Sequence, residues 1–125
     1  MSKSGLLPKV LIFDIETAPI KAYVWQLWKA NVSLDAIIKD WFVLCWSAKW
    51  LYSSEVMGDC ITPQEVAEED DERVVKSLWE LFDKADIVVA HNALKFDVPK
   101  MNARFIKHGL NPPSPYKIVD TKAIA

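Results

Sequence analysis

The clearest hydrophobic pattern is a short apolar run, Val10 to Phe13, which passes into two acids separated by one isoleucine. Apolar β-branched and aromatic residues in a run of this length predict a buried strand over residues 9–16. Side chains two positions apart on a strand share a face, so Asp14 and Glu16 are expected side by side at the strand end. Two adjacent carboxylates indicate either a hard divalent cation or a solvated strand end.

The rest of the chain alternates between predicted strands and helices. An acidic turn precedes an amphipathic helix with an apolar stripe, and a second helix ends near a glycine and two prolines. Strands are expected at 42–52, 55–60, 86–91 and 116–121, helices at 74–82 and 97–109, and a covering loop with helical turns at 20–40.

A second group of polar residues follows the predicted strand at 86–91. The strand runs into His91 and Asn92, and Asp97 then stands in the first turn of the next helix. The helix dipole favours an acid at that position without any catalytic role. Asp97 is therefore either a helix-start acid or a partner of the acids at the end of the first strand.

Two segments together resemble a known family. Phe13-Asp-Ile-Glu-Thr17 and Val89-Ala-His-Asn-Ala-Leu-Lys-Phe-Asp97 resemble the first and second motifs of the DEDD 3′–5′ exonucleases. That family includes the proofreading domains of DNA polymerases and related phage and bacterial nucleases. The resemblance implies a ribonuclease H-like fold, an α/β mixed five-stranded sheet with flanking helices. It also implies hydrolysis of phosphodiester bonds at the 3′ end of nucleic acid, expected to be single-stranded DNA in replication or proofreading.

The same resemblance implies a two-ion site that holds Mg²⁺ or Mn²⁺. Asp14 would bridge both ions, Glu16 would bind one ion and orient the attacking water, and Asp97 would hold the second ion. All-oxygen ligands suit these metals, and two such ions can activate a water and stabilise a leaving oxygen. The residues implied to contact the substrate are Thr17, Asn92 and Phe96, with His91 as an accessory residue.

The family's fourth acid has no clear counterpart. Tyr116 and Asp120 match its Tyr-x-x-x-Asp spacing, but the prolines before them predict a strand, on which the two residues lie far apart. Asp120 is instead expected near the site as an accessory residue. Residues 1–125 are expected to form one exonuclease-like domain, truncated before its final helices.

Such a truncation has consequences for partners. The missing acid could come from a complementary C-terminal polypeptide, and uncovered apolar surface favours a homodimer. The alternative function is a catalytically incomplete nucleic-acid-binding module, or one associated with a DNA polymerase, that needs a complementary chain.

Charge and composition add little about the substrate. The net charge is −2, so no global basic field indicates nucleic-acid binding. Lys100, Arg104 and Lys107 share a face of the helix at 97–109, which could bind phosphates or simply be solvated. Cys45 and Cys60 are expected as reduced thiols. With neither a signal peptide nor a run of roughly 18 apolar residues, a cytoplasmic protein without a membrane partner is expected.

Overall fold

The computed structural model describes residues 7–19 and 41–123 in full, and the backbone alone at residues 21–22, 37–39 and 124. The covering loop predicted over residues 20–40 therefore lies largely outside the described residues, and its described parts, 21–22 and 37–39, form paired strands rather than helical turns.

A mixed sheet forms the centre of the fold. Its five strands lie in the order β5-β4-β1-β6-β7, and β2 and β3 pair with each other separately. The bounds are β1 Val10–Thr17, β2 Lys21–Ala22, β3 Ile37–Lys39, β4 Val43–Trp50, β5 Met57–Cys60, β6 Ile87–Ala90 and β7 Lys117–Asp120. β4 runs antiparallel to β1 and β5, whereas β6 is parallel to β1 and β7 is parallel to β6. The predicted α/β class with a mixed five-stranded sheet, consistent with a ribonuclease H-like fold, is confirmed.

The helices flank this sheet. They are α1 Pro63–Glu68, α2 Glu72–Lys84, α3 Val98–Lys107 and α4 Thr121–Ile124, and a π-helical turn, Ala93–Asp97, leads into α3. The sequence predicted α2 and α3 but not α1, which buries no side chain and so has no apolar stripe. Within the described ranges, no helix is long and apolar enough to cross a membrane.

Alternation along β1 separates the core from the candidate site. Leu11, Phe13 and Ile15 are buried, whereas the side chains between them are exposed. Phe82 of α2 packs edge-on against Phe13, with ring centroids 4.9 Å apart, and against Phe105 of α3 at 5.7 Å. Burying each such ring contributes about 1.5–3 kcal/mol. α2 and α3 therefore cover one face of β1, and the two acids stand on the other.

The prediction of two separate reduced thiols is wrong in this structure. Cys45 of β4 and Cys60 of β5 are directly opposite in the antiparallel register and form a disulfide, which leaves no free cysteine. Cys45 is half-buried, whereas Cys60 is exposed. The pairing depends on strand register, which the separation of 15 residues along the chain does not reveal.

Candidate metal and nucleic-acid site

Asp14 and Glu16 lie at the exposed end of β1. Asp14 is opposite Ser47 of β4 and Glu16 is opposite Cys45, with a register shift between Glu16 and Thr17. Both acids are exposed, and both line a cleft of about 580 Å³ whose other walls come from β4 and from residues 56–60. The predicted arrangement of two carboxylates on one strand face is thus present.

Asp97 approaches from the neighbouring parallel strand. β6 ends at Ala90, and Asn92 then takes a left-handed backbone conformation with φ of 68°, which asparagine tolerates better than most residues. The π-helical turn that follows buries Asp97, of which only 2% remains exposed. Asp97 makes no capping hydrogen bond with its side chain, so helix capping does not account for this acid.

The Asp97 carboxyl is electrostatically unusual. Its Oδ2 atom is buried with no hydrogen-bond partner among the described residues, a state that most buried polar atoms avoid because it costs free energy. Burial, followed by the charges of Asp14 and Asp120, raises the pKa of Asp97 to about 6. Asp14 and Asp97 therefore lie close enough for their charges to interact, although they are 83 positions apart in the chain.

These observations bear on a divalent cation. An unpartnered buried oxygen beside a second carboxylate offers the hard ligands that Mg²⁺ and Mn²⁺ prefer, so the pair fits such an ion. In the part of the chain that is described, however, no three Asp, Glu, His or Cys side chains converge closely enough to hold a metal. The predicted trio of Asp14, Glu16 and Asp97 is thus not drawn together into a single cluster.

The Asp120 carboxylate accepts hydrogen bonds from backbone N–H groups near this site. Its Oδ1 accepts the N–H groups of Asn92 and Lys122, both at 2.9 Å, and its Oδ2 accepts that of Leu94 at 3.0 Å. Burial raises the pKa of the Asp120 carboxyl, but the N–H groups outweigh it and hold the pKa below its ordinary value. The residue ends β7, as the strand prediction for residues 116–121 required.

His91 is joined to the residue that follows Asp120. Its Nδ1 atom lies 3.0 Å from the hydroxyl oxygen of Thr121. The His91–Thr121 contact therefore connects the turn after β6 to the end of β7, in addition to the bonds that the Asp120 carboxylate accepts from that turn. The sequence predicted His91 and Asp120 as accessory residues near the site, but not these contacts between the turn after β6 and the residues at the end of β7.

The remaining predicted substrate contacts are spread around the acids. Thr17 is half-buried at the end of β1, directly after Glu16. Phe96, within the π-helical turn, lies beneath Lys100, whose Nζ is 4.9 Å from the Phe96 ring centre and 4.1 Å from that of Trp41. This stack joins Lys100 and Phe96, which are close to Asp97 in the chain, to Trp41, which is distant from it in sequence.

Arg104 does not lie on an exposed helix face, although both interpretations of the basic residues of this helix required it to. Arg104 is 3% exposed, and its guanidinium donates two hydrogen bonds to the Asp71 carboxylate. Nε is 2.8 Å from Oδ2 and Nη2 is 2.6 Å from Oδ1. Its Nη1 also donates to the Trp41 carbonyl at 3.1 Å. Arg104 therefore ties α3 to the start of α2 rather than facing solvent beside the site.

Asp71 is the residue that sequence reasoning missed. It is fully buried, and it also accepts the Val43 N–H at 2.8 Å and contacts His108 Nε2 at 2.6 Å. Burial raises the pKa of its carboxyl, but Arg104, the Val43 N–H and His108 together hold it below its ordinary value. Asp71 belongs to an acidic run whose charge suggested only a helix start, and no local signal separates it from its exposed neighbours.

Comparisons with known proteins identify a similar fold but no matching sequence family. No protein-family model and no curated protein sequence matches the chain. Among solved structures, the family B DNA polymerase from the hyperthermophilic archaeon Pyrobaculum calidifontis superposes with a TM-score of 0.62 at 17% identity. The match covers 95% of this chain but 16% of the polymerase chain. At this identity the likeness shows a shared fold.

Proposed function

We propose that this chain is a metal-dependent 3′–5′ exonuclease domain that hydrolyses the terminal phosphodiester bond of single-stranded DNA. The observation that best supports the proposal is the buried Asp97 carboxylate, one oxygen of which has no partner among the described residues, with the charge of Asp14 nearby. Natural proteins keep such a costly group mainly where it is used. The two motifs that carry these acids, and the fold shared with a DNA polymerase chain, point the same way.

In this proposal Asp14 and Asp97 hold Mg²⁺ or Mn²⁺, and Glu16 completes the ligands from the same face of β1. When bound there, such cations would lower the pKa of a bound water and stabilise the charge on the leaving oxygen. Asp97 must be ionised to act as a ligand, and its pKa of about 6 leaves it mostly ionised at neutral pH. Glu16, which lines the cleft, would orient a water molecule.

Substrate binding is assigned to residues around this pair. Thr17 and Asn92 would contact the terminal nucleotide, and Phe96 offers an aromatic face on which a base can stack. Lys100, between the Phe96 and Trp41 rings, brings a positive charge toward the phosphates. Because the net charge is −2, binding would depend on these local contacts rather than on a general basic field.

One observation favours a second function. The described residues contain no converged three-ligand group, as expected of a nucleic-acid-binding or polymerase-associated module without catalysis of its own. In that case a complementary polypeptide, a DNA polymerase or a second copy of the chain would supply what the site lacks. Such a module would bind single-stranded DNA but leave it intact.

Degradation of a 5′-labelled single-stranded DNA with Mn²⁺ separates the two functions. The exonuclease predicts a ladder that shortens from the 3′ end with the wild-type chain and disappears in Asp14→Asn. Asp86→Asn is the matched control, since Asp86 is a half-buried acid at the other end of β6 that accepts the Lys9 N–H. Binding of the DNA without any ladder would contradict the exonuclease and support the module.

A further inference from the structure

The π-helical turn that carries Asp97 lacks a cap of its own. The first N–H groups of any helical segment have no partner within it and need an acceptor from elsewhere. Asn92 occupies the capping position, but its side chain makes no capping hydrogen bond. The N–H groups of this turn therefore depend on a residue that is distant in sequence.

Asp120 supplies that acceptor from the adjacent strand. β7 is parallel to β6, with Asp120 in register with Ala90, so the carboxyl ends of both strands meet at the same edge of the sheet. From there Asp120 receives the N–H of Asn92 through Oδ1 and the N–H of Leu94 through Oδ2. Only 6% of Asp120 is exposed, which makes these charge-assisted bonds strong.

We propose that Asp120 is a positioning residue that caps the π-helical turn from β7 and thereby fixes where the Asp97 carboxylate enters the candidate site. This role rests on the proposed function, in which Asp97 is a metal ligand. The role differs from that of a metal ligand, because both Asp120 oxygens accept backbone N–H groups. Residues that hold a ligand in place typically change metal affinity or activity by about 10–100-fold when replaced.

Asp120→Asn removes the hydrogen bond from the Leu94 N–H and can keep the other two bonds to this side chain. The amide can keep an oxygen at the Oδ1 position, where it accepts the N–H groups of Asn92 and Lys122, but its NH₂ group then faces the N–H of Leu94. Two donors would oppose each other, and the segment that leads to Asp97 should shift. Asp86→Asn again serves as the control, because it changes a backbone-bonded acid at the far end of β6.

Two measurements test the role without relying on cleavage. One is the Mn²⁺ affinity of each folded variant, measured by electron paramagnetic resonance. The other is the ¹³C resonance of the Asp97 carboxyl, together with hydrogen exchange at the amides of residues 94–97. Positioning predicts that Asp120→Asn weakens Mn²⁺ binding about 10-fold, shifts the resonance and speeds exchange locally, whereas Asp86→Asn does none of these.

Mn²⁺ affinity within about twofold of wild type in Asp120→Asn would overturn the positioning role. Failure of the wild-type chain to bind Mn²⁺ would instead overturn the proposed function, and the Asp97 resonance would then decide the positioning role alone. An unchanged resonance and unchanged exchange in Asp120→Asn would refute it, and a local change absent from Asp86→Asn would support it.

Discussion

At the scale of single residues, Asp97 determines the chemistry that the molecule can offer. An exposed acid such as Asp14 costs the fold little free energy because water solvates its charge. Asp97, in contrast, is buried, and one of its oxygens has no partner among the described residues. The sequence predicted Asp14 on the first strand and Asp97 at the start of the second main helix, but not the π-helical turn that Asp97 ends. It left the helix-dipole explanation for Asp97 open, because the absence of a capping contact becomes visible only in three dimensions.

The raised pKa of Asp97 predicts a pH-dependent gain in stability for Asp97→Asn. The native pKa of about 6 exceeds the ordinary value of 3.8, so the folded state binds this proton more tightly than the unfolded state does. The ionisation of Asp97 therefore subtracts from the free energy of unfolding as the pH rises from about 4 to 6. We expect Asp97→Asn to match wild type near pH 3 and to exceed its free energy of unfolding by about 1–3 kcal/mol above pH 7.

Urea denaturation of both proteins across this pH range would measure that difference. The comparison with wild type cancels the contributions of the other acids, which both proteins share. A free energy difference independent of pH, or a variant less stable than wild type above pH 7, would contradict the account of Asp97.

At the scale of elements, the periodic patterns predicted the five strands of the main sheet and the two longer helices, but they missed the β2–β3 pair and the contacts between residues distant in sequence. Alternation and apolar runs depend only on local geometry, which is why β1, α2 and α3 appeared close to their observed bounds. The Cys45–Cys60 disulfide requires strand register, and the Asp71–Arg104 pair joins residues 33 positions apart. Helical spacing placed Arg104 with the solvated lysines, although it is buried.

The Asp71–Arg104 pair predicts that Arg104 contributes to stability rather than to substrate binding. Arg104→Met should lower the free energy of unfolding by about 3–5 kcal/mol, because it leaves the fully buried Asp71 carboxylate without its main counter-charge. Lys107→Met, an exposed change on the same helix, should stay within about 0.5 kcal/mol of wild type.

Urea midpoints of the two variants, alongside their affinity for single-stranded DNA, would test this assignment. A wild-type midpoint for Arg104→Met combined with a large loss of DNA affinity would restore Arg104 to the substrate site. A lower midpoint with unchanged affinity of the folded fraction would support its structural role.

At the scale of the whole molecule, the candidate site depends on three distant parts of one sheet edge. β1 contributes Asp14, the turn after β6 contributes Asp97, and Asp120 at the end of β7 caps that turn. The sequence supplied the motifs and their separation. It could not show how closely the carboxylates approach, because that depends on packing among all three elements. The expected homodimer and complementary polypeptide remain predictions.

Because a ligand that binds only the folded state stabilises it, Mn²⁺ should raise the stability of the whole chain. The most direct measurement is therefore the free energy of unfolding as a function of Mn²⁺ concentration near pH 7.5, for the wild type and Asp14→Asn. We predict that wild-type stability rises by about 1.4 kcal/mol for each tenfold increase above the dissociation constant, and that Asp14→Asn removes this dependence. A wild-type stability unaffected by Mn²⁺, or an equal rise in Asp14→Asn, would contradict a cation site at Asp14 and Asp97.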